Sequence, residues 1–167
     1  ARDCRIAMIY EGTNGIQALD LVGRKLSMDG GKYMREYLNL VQAFINEEHS
    51  EDLKNDFITP LKKSIEHLQA ALMFFMQNGL KNPLSAVSGA TDFLHLVGLV
   101  SLGFIWSKKA QSAKKKLKDI SANKNFLEAK ILTGSYFMHR QLPETKLRLD
   151  RILTGEKQVM SLAADQF

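Results

Sequence analysis

Phe93-Leu94-His95-Leu96-Val97-Gly98-Leu99-Val100-Ser101-Leu102-Gly103-Phe104-Ile105-Trp106 is a nearly unbroken apolar stretch. As a helix it rises about 21 Å, well short of the roughly 30 Å hydrocarbon core of a bilayer. Extending it backward takes in Asp92. No membrane span is expected; the stretch reads as the middle of one long helix from Asn82-Pro83 to about Ile120. A helix that is apolar on almost every side needs partners on several sides. The expected fold is therefore all-α, packed around this segment. Ser88, Gly89, Gly98 and Gly103 are small enough for neighbouring helices to come close, and His95 is expected as a hydrogen-bonded core or interface histidine.

The flanking sequence supplies the partners. Toward the C-terminus, Ser121-Ala122-Asn123 breaks the long helix. A further helix is predicted over about Lys124–Gln141, stopping before Pro143, and another from Pro143 to about Thr154, with Gly155 beyond it. The tail from Glu156 to Phe167 adds a last turn or two. Toward the N-terminus, Leu61, Ile65, Leu68, Leu72, Phe75 and Met76 share one face of a helix ending at Asn78-Gly79. Pro60 suits its first turn with Thr59 as cap, and an earlier, kinked start is the open alternative. Met34, Tyr37, Leu38, Val41, Phe44 and Ile45 define a helix over about Lys32–Asn46, followed by a polar run from Glu47 to Asp52 that reads as a loop or a frayed end. The Met and Phe side chains are expected to be mostly core. No alternating strand pattern is present. The simplest architecture is an antiparallel helical bundle, four main helices plus a short one, within residues 31–167.

Ahead of the bundle, a helix is predicted over about Asn14–Leu26, capped by Asn14 with Gln17 in the reciprocal position. Ile16, Leu19, Val22 and Leu26 fall on its apolar face. Ser27-Met28-Asp29-Gly30-Gly31 ends it and marks a boundary between residues 1–30 and 31–167. A helix of roughly 13 residues is marginal alone. It must pack on the bundle, on another copy or on a further domain.

Charge is unevenly placed. Of a net +5 over 167 residues, residues 1–107 carry 10 Lys/Arg against 12 Asp/Glu, and residues 108–167 carry 13 against 6. Lys108, Lys109, Lys114, Lys115, Lys116 and Lys118 account for much of the basic end. They read as the solvated, dipole-favoured end of the long helix; an acidic partner or an anionic surface is the weaker alternative. No nucleic-acid motif accompanies them, and aromatics are not interleaved. The single cysteine, Cys4, excludes an internal disulfide framework, so a reducing, cytoplasmic setting is expected. His49, His67, His95 and His139 lack metal-ligand spacing, so no metal is expected.

The stretch that carries chemistry is Arg2-Asp3-Cys4-Arg5-Ile6-Ala7-Met8-Ile9-Tyr10-Glu11-Gly12-Thr13-Asn14-Gly15-Ile16-Gln17. Glu11 is lodged between Tyr10 and a Gly-Thr-Asn-Gly turn that feeds directly into a helix. Free backbone N–H groups and the positive dipole end suit an anion or a carbonyl oxygen, and the glycines permit close approach. Glu11 would then stand beside the bound group. The alternative is an ordinary helix start with a glycine turn.

This run closely resembles the signature near the end of acyl-CoA dehydrogenases, Arg-Asp-x-Arg-Ile-x-x-Ile-Tyr-Glu-Gly-Thr-Asn-x-Ile-Gln. A looser similarity, to the closing part of a helical module that one subgroup appends, lies in Ala129–Phe137, Leu142-Pro143 and Ile152–Gly155. The resemblance implies a parent that dehydrogenates an acyl-CoA thioester with FAD and passes electrons to an electron-transferring flavoprotein, as a homo-oligomer. It implies Glu11 as catalytic base and Gly12 against the thioester. Thr13, Asn14 and Gly15 map to the flavin-contacting turn; many relatives carry a longer side chain at Gly15, which leaves the backbone for a contact there. Residues 1–30 would be the tail of the catalytic C-terminal domain and 31–167 the appended bundle. The family builds its pocket partly from a β-domain that these residues lack. The 167 residues alone are therefore expected neither to hold FAD nor to turn over, with Glu11 solvated and Ala1–Gly12 displaced or disordered. The competing reading is a stand-alone helical interaction module with no enzymatic activity.

Overall fold

The computed structural model of the chain describes residues 6, 13–78, 81–159 and 161–166. Among the described residues all regular structure is helical: α1 (Asn14–Gly23), α2 (Lys32–Ile45), α3 (Glu51–Leu53), α4 (Thr59–Asn78), α5 (Pro83–Lys116), α6 (Lys124–Tyr136) and α7 (Glu144–Thr154). Short 3₁₀ segments cover Lys25–Gly31 and Ala164–Gln166, and two π-helical stretches cover Lys54–Ile58 and Phe137–Gln141. The all-α expectation holds.

α5 is the axis, packing against α1, α4, α6 and α7. The contacts fix the directions. Phe75 meets Phe93 edge-on at 5.1 Å between ring centres, while Leu61, a lower number on α4, faces Gly103, a higher one on α5. Leu142, just ahead of α7, faces Gly103, and Ile152 on α7 faces Gly89, in the same opposed order. Both partners thus run antiparallel to α5. Gly89 and Gly103 are where they come closest: a Cβ at Gly103 would lie 3.1 Å from Leu142 Cδ1, and one at Gly89 3.3 Å from Phe75 Cζ. Gly98 differs from expectation, since a Cβ there would meet nothing within 4 Å. His95 likewise lies on the exposed side of α5, not in the core.

The core is made by the wide apolar faces that the sequence pattern defines. Phe57, Leu61, Ile65, Leu68, Phe93, Leu96, Val100, Met138, Leu142 and Ile152 are all fully or almost fully buried. Burying each large side chain contributes about 1.5–3 kcal/mol before the entropy of ordering is subtracted. α2 adds Val41, Phe44 and Ile45. Tyr37 ties it to α5 by donating to Ser101 Oγ at 2.8 Å, because the Ser101 hydroxyl proton is already given to Val97 O. Among the described residues, three methionines and one phenylalanine depart from the expected core role: Met28, Met73, Met76 and Phe126 are exposed.

Pro60 does not begin a helix. The helix starts at Glu51 and passes through Pro60, with Lys54–Ile58 widened to π spacing. A proline nitrogen has no hydrogen to donate to Asp56 O, and its ring would collide with that carbonyl at ordinary α spacing. The wider turn, in which Thr59 N–H bonds Lys54 O, removes the collision. The same device recurs before Pro143: Phe137–Gln141 is π-helical, and Leu142 N–H bonds Phe137 O at 2.9 Å.

At the N-terminal end, α1 packs on α5, which settles the first of its three options. Its buried face is not the expected one. Ala18 is fully buried and Leu21, Val22 and Leu26 lie against the core, while Ile16 and Leu19 are exposed. The flat side of Ala18 lets the short helix lie close to α5, which rotates Ile16 and Leu19 outward. α1 also stops at Gly23, earlier than the expected Leu26. Asp29, Gly30 and Gly31 then take three consecutive left-handed conformations, φ 48°, 63° and 78°. Such a run favours glycine, and it turns the chain into α2.

Candidate functional site

Of the residues singled out for chemistry, Glu11 and Gly12 lie outside the described residues, as do Cys4 and the expected displacement of Ala1–Gly12. Thr13, Asn14 and Gly15 are described, and the structure brings them together in one exposed turn at the start of α1. The helix boundary falls one residue earlier than expected. Thr13 is the cap, with Gln17 N–H bonding its carbonyl at 2.9 Å and no side-chain cap bond, and Asn14 is the first helical residue. A Cβ at Gly15 would meet nothing within 4 Å, so the backbone on that side is open to an approaching group. Thr13, Asn14 and Gly15 are exposed on this turn. Behind them, Asp20 receives both Arg24 Nε at 2.6 Å and Nη2 at 2.9 Å. The Arg24 hydrogen bond is the main reason that the Asp20 carboxyl titrates below its ordinary range.

The lysine-rich end of α5 is partly absorbed by structure. Lys109 lies 4.8 Å from the Trp106 ring centre and Lys108 5.3 Å from that of Phe104. Lys114 reaches Asp52 at 3.6 Å. Lys114, Lys115 and Lys116 occupy the last turn, where the helix dipole favours cations. α5 also meets the length and hydropathy of a membrane-crossing helix, with a mean hydropathy of 1.4 over its most apolar window. Here 39% of that window is buried, with α5 packed on α1, α4, α6 and α7, while Leu102 and Ile105 stay exposed.

Two polar clusters escape a reading of spacing, because their members come together only in the fold. Arg148 donates to Asp92 at 2.8 Å and to Glu144, bolting α7 to α5. The hydrogen bond to Asp92 is the first cause of its raised pKa. Glu156 accepts from Asn82 Nδ2 at 2.5 Å and from the Ser85 hydroxyl, placing a carboxylate at the N-terminus of α5. The Ser85 bond leads in pulling the Glu156 carboxyl below its ordinary value.

Comparison with known proteins assigns the architecture. Residues 37–163 match the family model described as acetyl-CoA dehydrogenase C-terminal like. The 3-methylmercaptopropionyl-CoA dehydrogenase of Ruegeria pomeroyi is 32% identical over 157 residues, covering 93% of this chain and 26% of that protein. The broad-specificity linear acyl-CoA dehydrogenase FadE5 of Mycobacterium tuberculosis is 27% identical, covering 96% of this chain and 28% of that protein. A butyryl-CoA dehydrogenase of Syntrophomonas wolfei is 26% identical over 86% of this chain and 24% of its own length. The chain spans about a quarter of the length of these curated relatives. It belongs to the acyl-CoA dehydrogenase family and corresponds to that family's C-terminal helical region.

Proposed function

We propose that this chain is the C-terminal part of an FAD-dependent acyl-CoA dehydrogenase and carries its catalytic base, Glu11. The observation that supports this most is the continuity of the run from Arg2 to Gln17 with α1: the glycine-bracketed turn that follows Glu11 is an exposed helix start. Residues 1–30 are the tail of the catalytic domain and residues 31–167 the appended bundle, meeting at the left-handed turn of Asp29-Gly30-Gly31.

In this reading the Glu11 carboxylate takes the α-proton of the thioester, and its backbone N–H donates to the thioester oxygen as charge develops there. Gly12 leaves room for the thioester. The open, donor-rich turn of Thr13, Asn14 and Gly15 fits an edge of FAD, which when bound accepts the β-hydride. A carboxylate is a weak base in water; enclosure beside an apolar acyl chain raises its pKa toward working pH. Such enclosure needs walls from the rest of the parent, so these 167 residues alone hold no FAD and are inactive. Electron-transferring flavoprotein as acceptor, a homo-oligomeric assembly and a cytoplasmic setting complete the reading.

The test is Glu11→Gln in the full-length parent. Flavin reduction by acyl-CoA thioesters should fall by about 10²–10⁴-fold while flavin stays bound. Reduction at the parental rate would remove Glu11 from the role of base. Mass analysis of the isolated chain should find no flavin.

A further inference from the structure

A cleft of about 400 Å³ opens between α4 and the junction of α6 with α7. That is within the size range of small-molecule sites. It lies in the bundle, away from the turn at the start of α1, and its content does not depend on the dehydrogenase reading. Lys63 and His67, four residues apart on α4, line one wall, and Lys146 lines the other over a floor that includes Met138 and Leu142. Both floor residues are almost fully buried.

His67 is held in one orientation. Its Nδ1 lies 3.0 Å from Thr145 Oγ1, and the Thr145 hydroxyl donates its proton to Leu142 O at 2.8 Å. The hydroxyl oxygen can then only accept, so Nδ1 carries the hydrogen and Nε2 keeps a lone pair. Burial first, then Lys146, holds the His67 pKa below its ordinary value, opposed by Glu66 and Asp150. Across the cleft, His139 faces Asp56 at 3.7 Å, and Lys146 is paired with Asp150. Among the described residues Lys63 has no ion-pair partner. One uncommitted ammonium and one oriented imidazole thus stand over an apolar floor.

The two π-helical stretches of the described residues both end at this cleft, through Thr59-Pro60 and Leu142-Pro143. They shape its rim, each supplying the wider turn that the proline after it requires.

We propose that the cleft is a binding site for a small molecule bearing an anionic oxygen group on a short apolar body, a carboxylate or a phosphate ester. Lys63 holds the anionic group, Lys146, already paired with Asp150, adds positive charge across the cleft, His67 Nε2 accepts a hydrogen bond from the ligand or from a water it carries, and the apolar body lies on the accessible rings of Pro60 and Pro143.

The experiment is a titration of the full chain, followed by the NMR signals of the His67 ring, with sodium butyrate in one arm and methyl phosphate in the other. Ionic strength is held constant with sodium chloride. At least one ligand should give a saturable shift, and that arm identifies the anion. Saturating ligand should raise the pKa of His67, because a nearby anion favours the imidazolium. Lys63→Met should weaken binding about tenfold, while Lys62→Met, the same charge change on an exposed neighbour outside the cleft, should leave affinity within about twofold. Unsaturable shifts in both arms, an unmoved His67 pKa, or equal loss in the two lysine variants would each overturn the proposal.

Discussion

α5 meets α4 and α7 through interlocking large side chains, Phe93 against Phe75 and Leu142 over Gly103. It meets α1 through Ala18 and the partly buried Leu21 and Val22, with Ile16 and Leu19 left facing out. The first contact stabilises by volume and fit. The second is the docking of a short helix through one small residue and half-buried ones, with Ile16 and Leu19 on its other side exposed. The difference teaches that the bundle is held by large, fully buried side chains, whereas the segment carrying the proposed chemistry is held along its length by a small residue and half-buried ones.

Phe93→Ala attacks the heavy side of this comparison. The ring is fully buried, and its loss should cost about 3–5 kcal/mol in denaturant unfolding. A cost under about 1 kcal/mol would mean that the centre of the bundle is not where stability is concentrated. Next comes Arg148→Met, which strips the half-buried Asp92 of its closest cation. A loss of about 1–3 kcal/mol is expected. Ala18→Glu tests the light side. Hydrogen exchange should show α1 released, while global unfolding shifts by about 1 kcal/mol or less. A shift as large as that of Phe93→Ala would make α1 an integral part of the core and erase the contrast.

The smallest effect is one of pH. The Glu156 carboxyl is lowered from an ordinary value of 4.5, chiefly by the Ser85 hydroxyl. A depressed carboxyl stabilises the fold fully above its unfolded value, and the contribution is lost as pH falls through the folded value. Glu156→Gln should therefore lower Tm slightly near about pH 6 and make no difference near about pH 2. An equal loss at both would show that the residue acts by packing and not by charge.

Helix existence and most helix ends were legible in the sequence because the signals are local. Asn123 caps α6 by accepting from Phe126 N–H at 3.1 Å, and Pro83 opens α5. The exposed turn at Thr13–Gly15 was legible for the same reason. What could not be read depends on long-range packing. Nothing near Ile16 says that the face centred on Ala18 will be the one pressed on α5. His67 and Thr145 lie 78 positions apart, so the cleft has no mark in spacing. At Pro60 the structure takes the earlier, kinked start that the sequence left open. A proline inside a helical pattern is read as a start or a stop, yet here the helix absorbs it by widening.

That widening makes the bundle intolerant of single-residue deletions at two places. Each π stretch accommodates one surplus position in the helical count. Removing a residue from Lys54–Ile58 would restore ordinary spacing, drive the Pro60 ring onto a carbonyl and rotate everything upstream by about 100°. Leu53 would swing out of the core as the loop beyond it lost its register. Length variants among natural homologues should consequently avoid both stretches, or drop the proline in the same step.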